Sequence, residues 1–209
     1  MRAPDQATRQ RLLEAAAHLF AARGFRRVTI REICRAARAN VAAVNYHFRD
    51  KQGLYGEVLE LAIAVMQETT TAARQASAEG SPEARLRAHI RIFLERLLGG
   101  GGDSWLHRLM TRELADPTPA FDVLVDRGVR PRVEYVAELI GELTGLPPTD
   151  ERVERCVASI QAQCIMALPN RVAERLRPNF KWTPVEIQKL AGHIAEFSLA
   201  GIRAIGRST

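Results

Sequence analysis

The sequence predicts an all-α protein: an N-terminal three-helix helix-turn-helix domain over residues 1–52, followed by a larger helical domain over 53–209. Three observations lead there. Apolar residues recur at three- and four-residue steps along almost the whole chain, and no segment alternates apolar and polar long enough for a strand. Two capping boxes, Thr29–Glu32 and Thr183–Glu186, announce helix starts, the second with Pro184 at the first helical position. The excess positive charge is confined to one end: residues 1–51 carry eleven basic and four acidic groups, a net +7, and the remainder sums to −1.

The elements follow in order. Residues 8–23 place Leu12, Ala16, Leu19 and Phe20 on one stripe, stopped by Gly24. Thr29 caps a short helix whose Ile33 and Ala36 or Ala37 face inward, and residues 38–40 turn into a second short helix, 41–48. A long helix runs from Lys51 to about Ser77 with Asp50 as its cap. Ser81-Pro82 opens the next, which ends in the glycine run 99–102, expected to be a flexible loop. Helices are expected over 105–115, from 121 towards 143 with a kink or break at Pro131, from about 150 to Leu168, and from Pro184 to about Ile205.

Composition excludes several classes. A hydrophobic content of 46% permits a real core. No run of eighteen apolar residues provides a membrane span, and the polar opening MRAPDQATRQ is unlike a signal peptide, so a cytoplasmic protein without membrane association is expected. Cys34, Cys156 and Cys164 form no C-x-x-C pair. On one helix the last two would stand about 12 Å apart, beyond disulfide reach. No His, Asp or Glu spacing suggests a metal or cofactor, and no acid, base and nucleophile converge, so no enzyme and no cofactor are expected.

The stretch NVAAVNYHFRDK, residues 40–51, carries the functional reading. Val44 and Phe48 form an apolar face with Val41, whereas Ala42, Ala43, Tyr46 and His47 fall on the far side and Asn45 on the flank. Arg31, Arg35, Arg38, Arg49 and Lys51 make the surroundings basic, and of these Arg31, Arg38 and Lys51 are candidates to contact DNA. Such a face suits double-stranded DNA. Small alanines let the helix axis approach the groove floor, Asn45 can pair with adenine or hold a phosphate, and Tyr46 and His47 can grip phosphate oxygens. The amides after Thr29 offer a helix N-terminus to another phosphate.

These residues, with Leu19-Phe20, Gly24-Phe25, Val28 to Ile33 and Leu54, resemble the N-terminal domain of TetR-family transcriptional regulators over Thr8–Leu54. The variant NVAAVNYHF and the later RELADPTPAF, residues 112–121, are similar to the CecR-like branch. The resemblance implies that Thr29, Asn40, Ala42, Ala43, Tyr46, His47 and Lys51 face DNA. One departure concerns the turn, where the family usually has Gly and this chain has Arg38. A left-handed Arg38 would cost roughly 1 kcal/mol or more relative to Gly.

The larger domain is expected to bind a ligand and to dimerise. Residues 156–169 hold no charge, and the last helix carries apolar and small residues at helical spacing. Cys156, Val157, Ile160, Cys164, Ile187, Leu190, Ile194, Phe197, Ser198, Gly201, Ile202 and Ile205 are therefore candidates for a four-helix homodimer interface. Phe93, Trp105, Met110, Phe121, Gln161, Gln163, Cys164 and Met166 are candidates to line a small-molecule pocket. The expectation is a homodimeric repressor on a pseudo-palindromic operator, released by a small-molecule effector.

Overall fold

The computed structural model describes residues 3–99 and 104–207. Most of the expected glycine loop, residues 100–102, lies outside them. Packing divides the chain into two compact units, Met1–Val65 with Ser104–Gly128, and Met66–Asp103 with Val129–Thr209. The first unit takes in all of the expected DNA-binding segment 1–52, the start of the following helix, and a later stretch whose helix packs back onto the first.

In the first unit, α1 (Ala3–Arg23) packs against α2 (Ile30–Ala37), α3 (Val41–Phe48) and α6 (Trp105–Ala115). Helix α1 begins five residues before the expected start, so its polar opening belongs to the helix. It ends at Gly24, whose φ of +81° is the left-handed stop the sequence announced. Leu12, Ala16 and Phe20 are fully buried beneath it, with Ile33, Val44, Leu54 and Val58. Burial of each of the larger side chains contributes about 1.5–3 kcal/mol. Phe20, Phe25 and Tyr55 form an aromatic triangle with ring centroids 4.7–5.8 Å apart.

Helix α6 is tied in by polar contacts. The Arg112 guanidinium donates to the Ala22 carbonyl at 2.7 Å, satisfying the C-terminal end of α1. Glu113 is 2% exposed and accepts the Tyr55 hydroxyl proton, the Thr118 amide at 3.0 Å and the Thr118 hydroxyl at 3.0 Å. This carboxylate is buried but fully engaged, the condition under which burial of a charge is tolerated. Burial and the Glu113 hydrogen bond push the Tyr55 phenol well above its ordinary value.

Helix α4 (Lys51–Gln75) contributes to both units. The second unit adds α5 (Pro82–Leu98), α8 (Arg130–Thr144), α9 (Glu151–Met166), the short α10 (Arg171–Leu176) and α11 (Pro184–Gly206). Helix α11 packs on α5, α8 and α9 around Leu86, Ile90, Leu94, Tyr135, Leu139, Ile140, Ile194 and Leu199. The helix expected over 121–143 is three pieces: α7 (Phe121–Leu124), a π-helical stretch Val125–Val129, and α8, which carries Pro131 in its first turn. The helical run is unbroken from Phe121 to Thr144, and the expected kink or break at Pro131 takes the form of a change of helix type, the π-helical stretch lying directly before the proline that cannot donate to the α-helical ladder. Helix α10 escaped the sequence reading because six residues hold too few turns to show a period.

Where α3 meets α4 the backbone is crowded. A Cβ on Gly53 would lie 2.0 Å from the Phe48 carbonyl oxygen. Gly53→Ala is therefore expected to lower the unfolding free energy by about 1–3 kcal/mol, the usual range for an overpacked site. Urea denaturation of the full chain checks this; unchanged stability would mean the junction is loose.

Candidate nucleic-acid interface

Helix α3 is fixed by one side. Val44 is inaccessible and Phe48 is 3% exposed, and α3 packs on both α1 and α2. Val41, expected on the same face, is 44% exposed because it stands in the first turn, beyond the packed helices. On the other side Ala42, Asn45 and Tyr46 are exposed, Tyr46 by 74%, and Ala43 is half-buried. Asn40 caps the helix, its Oδ1 accepting the Ala43 amide at 2.8 Å.

Thr29 completes the capping box. Its hydroxyl accepts the Glu32 amide at 3.3 Å, and Glu32 accepts the Thr29 amide at 2.8 Å. The Thr29 hydroxyl, donating to the carboxylate at 2.8 Å, and then Arg23, hold the Glu32 carboxyl down to about 2. The Thr29 side chain is thus committed to its own helix, and what α2 offers a phosphate is its first-turn amides.

Two arginines occupy strained backbone on either side of α3. Arg38 stands at φ 50°, ψ 49°, the left-handed conformation that Gly would take at lower cost. Its amide donates to the Arg35 and Cys34 carbonyls, and Ala39 donates to Cys34 at 2.9 Å, which closes α2. Arg49, at φ 71°, ψ −55°, sits at the centre of a γ-turn closed by the Asp50 amide on the Phe48 carbonyl at 2.9 Å. Each such residue costs about 1–3 kcal/mol.

Arginines of the first unit divide into two groups. Arg9 pairs with Glu57 at 2.8 Å, Arg23 pairs with Glu32 at 2.6 Å, and Arg11 donates to the Ala37 carbonyl at 3.2 Å. Arg31, Arg35, Arg38 and Arg49 are all exposed, and none pairs with a carboxylate among the described residues. Arg27, in the loop before α2, is likewise exposed and without a carboxylate partner among the described residues, so the unpaired cations gather on the helix-turn-helix segment and the loop leading into it.

Two expected contacts are placed differently. The His47 side chain is 4% exposed, and its Nε2 lies 3.2 Å from Asp5 of α1, with the Tyr46 and Phe48 rings beside it. The long N-terminal extension of α1, missed in the sequence, covers it; His47 fixes the helix and does not belong to its open face. Lys51 is half-buried with its ammonium 4.5 Å above the Phe25 ring, and burial pushes its pKa below the ordinary value.

The expected pocket residues do not share a compact unit: Trp105, Met110 and Phe121 belong to the first, and Phe93, Gln161, Gln163, Cys164 and Met166 to the second. Within the second unit, Gln163 and Met166 line an open groove of about 740 Å³ with Phe180, Trp182 and Leu190, whereas Cys164 is buried in the core. Gln163 donates to the Ser198 hydroxyl at 3.3 Å.

The expected dimer residues are mostly consumed inside the chain. Cys156, Val157, Ile160, Cys164, Ile187, Ile194, Ser198 and Ile202 are each at most 8% exposed, and Leu190 and Ile205 pack against the same core. The apolar period marked the face that α9 and α11 turn towards α5 and α8. Of the candidates, Phe197, 65% exposed, and Gly201 lie open. Beside them on the outer faces are Ala200 and Ala204 of α11, and Ala158, Ser159, Ala162, Ile165 and Met166 of α9. Small residues scarcely register in a hydropathy pattern, so this second face was not legible.

The geometry agrees with the proteins this chain is similar to. Residues 12–58 match the model for bacterial regulatory proteins of the tetR family, and residues 82–202 match that for the C-terminal domain of the HTH-type transcriptional dual regulator CecR. The HTH-type transcriptional regulator AcrR of Shigella flexneri is 35% identical over 90 residues, which are 43% of this chain and 41% of that protein. Three solved structures share the fold. A TetR-family transcriptional regulator from Streptomyces coelicolor superposes with a TM-score of 0.70 at 21% identity, covering 95% of this chain and 97% of that one. The fatty acid degradation regulator FadR from Bacillus halodurans gives 0.66 at 15% identity, with 92% and 98% covered. The ketosteroid transcriptional regulator KstR2 of Mycobacterium tuberculosis gives 0.65 at 20% identity, with 92% and 93% covered. The chain belongs to the TetR family of DNA-binding transcriptional regulators and carries a CecR-type C-terminal domain.

Proposed function

We propose that the protein is a homodimeric repressor that binds a pseudo-palindromic operator and leaves it when a small-molecule effector binds. In this reading residues 1–52 read the DNA and residues 53–209 regulate it. The observation that carries it is the open face of α3, with Ala42, Asn45 and Tyr46 exposed and four unpaired arginines on the same helix-turn-helix segment. The alanines allow close approach to the groove, Asn45 and Tyr46 supply hydrogen bonds, and the arginines replace condensed counterions on phosphates. Exposed guanidiniums on strained backbone are kept where no internal partner rewards them, which favours an external polyanion.

The dimer surface we propose is the outer face of α9 and α11. It combines Phe197 and Ile165 with Gly201, Ala200, Ala204, Ala158 and Ala162. A Cβ at Gly192 or Gly201 would meet nothing within 4 Å in this chain, so those glycines serve no internal packing. They leave room for a second helix to come close, and two such helices from each chain make a four-helix contact.

Selection of duplex DNA by the purified full chain, followed by binding titrations, tests the function; failure to enrich any sequence over random duplex would sink it. Tyr46→Ala is expected to weaken the selected site by about 1–3 kcal/mol while leaving the fold intact. Arg38→Ala is expected to weaken all sequences alike and to reduce the steepness of the salt dependence by about one phosphate's worth. Unaltered salt dependence would remove Arg38 from the phosphate contacts. Phe197→Glu with Ile165→Glu is expected to give folded monomers in sedimentation, and persistent dimers would place the contact elsewhere.

A further inference from the structure

One side-chain cluster in the second unit is not explained by packing. The Arg132 guanidinium, on α8, lies 4.6 Å above the Phe93 ring of α5. The same ring stacks on His89, with centroids 6.1 Å apart and planes within 6°. Tyr135 presents its edge to His89 at 5.7 Å. His89 is 3% exposed, and its Nδ1 has no hydrogen-bond partner. Cys164, 1% exposed, stands near enough for the guanidinium charge to act on its thiol.

The charge balance of this cluster is incomplete. Arg132 forms no ion pair among the described residues. Cys164 cannot neutralise it, because burial pushes its thiol up to about 12 and keeps it protonated. Burial, then the Arg132 charge, pushes His89 down to about 3, so its imidazole is neutral at ordinary pH. Arg74, over the other aromatic ring, Tyr135, at 4.5 Å, has Glu138 at 3.7 Å. A half-buried guanidinium facing rings, a thiol and a neutral imidazole is costly when nothing opposes its charge. An orphaned buried nitrogen adds to the cost.

We infer that Arg132 and His89 form the recognition centre for a small organic carboxylate, with the Phe93 and Tyr135 rings holding the two groups in place. The planar guanidinium fork matches a carboxylate through two parallel hydrogen bonds. Nδ1 of His89, in the tautomer that carries its proton there, donates a third. One cation without a partner calls for one negative charge; a phosphate dianion would leave a buried excess. This inference rests on the effector-responsive reading and assigns the effector's chemical class.

The test uses the full chain and three acids, benzoate, phenylacetate and hexanoate, each against its uncharged amide. At about one hundred times its Kd, a bound acid is expected to raise Tm by several degrees and its amide to do nothing. Arg132→Met is expected to abolish that shift while leaving the unliganded Tm unchanged or higher, since it removes an unopposed charge. Arg132→Lys is expected to keep a weaker shift. A shift surviving in Arg132→Met, a Tm several degrees lower in that variant without acid, or no acid exceeding its amide would each overturn the inference. Gel shifts on a selected duplex run in parallel separate the two levels. An acid that binds through Arg132 without releasing the duplex supports this site and removes the effector reading. A compound that releases the duplex equally well from Arg132→Met does the reverse.

Discussion

Everything the first unit offers to DNA depends on how the Phe48 peptide group is held. Its ring is buried between the helices, and its carbonyl accepts the Asp50 amide within the γ-turn at Arg49. The same oxygen fills the space where a side chain at Gly53 would begin. These constraints fix the end of α3 against the start of α4. With Val44 seated one turn earlier, the helix has one rotational setting, and that setting turns Tyr46 and Asn45 outward. The strained turn at Arg38 does the corresponding work at the other end. Local strain of about 1–3 kcal/mol at each junction is small beside the burial that opposes it, but it is concentrated where the geometry must be narrow.

The distribution of ion pairs separates structural from available charge. Arg9, Arg11 and Arg23 sit on the same helix and are all engaged within the unit. Those of the helix-turn-helix segment are left exposed on short elements whose residues lie close in sequence. Exposed pairs contribute little stability, so forgoing them loses little. What the unit gains is a local positive potential that is screened only by salt. In the second unit Arg132 presents the opposite case, a half-buried cation with no anion beside it among the described residues, where the same lack of a partner has a larger energetic consequence.

Much of this was legible in the residues. The Thr29–Glu32 box, the Thr183 cap, Gly24 and the period of α3 determine elements whose physics is local, and each appears where expected, although the Glu186 carboxylate takes Lys189 as its partner at 2.8 Å and does not close a second box. The left-handed turn at Arg38 was legible only through the resemblance, which puts Gly at that place. The failures have a common source. His47 looked like a surface residue until an N-terminal extension of α1 covered it, and the apolar residues of α9 and α11 looked like a partner's surface until α5 and α8 occupied it. A periodic pattern tells which residues leave water and not which element covers them. Arg132 and His89 carried no signal in isolation, since their meaning comes from a missing neighbour, and absence has no sequence motif.

The attachment of α6 has a consequence for how such proteins can be recombined. Glu113 and Arg112 lie some sixty and ninety residues from the groups they satisfy, Tyr55 and the Ala22 carbonyl. A graft that exchanges only the first fifty-odd residues between relatives would import a foreign phenol and helix end opposite an unchanged carboxylate. Productive chimeras should therefore inherit two stretches of chain together, and lineages that shuffle their DNA specificity are expected to co-vary at these distant positions.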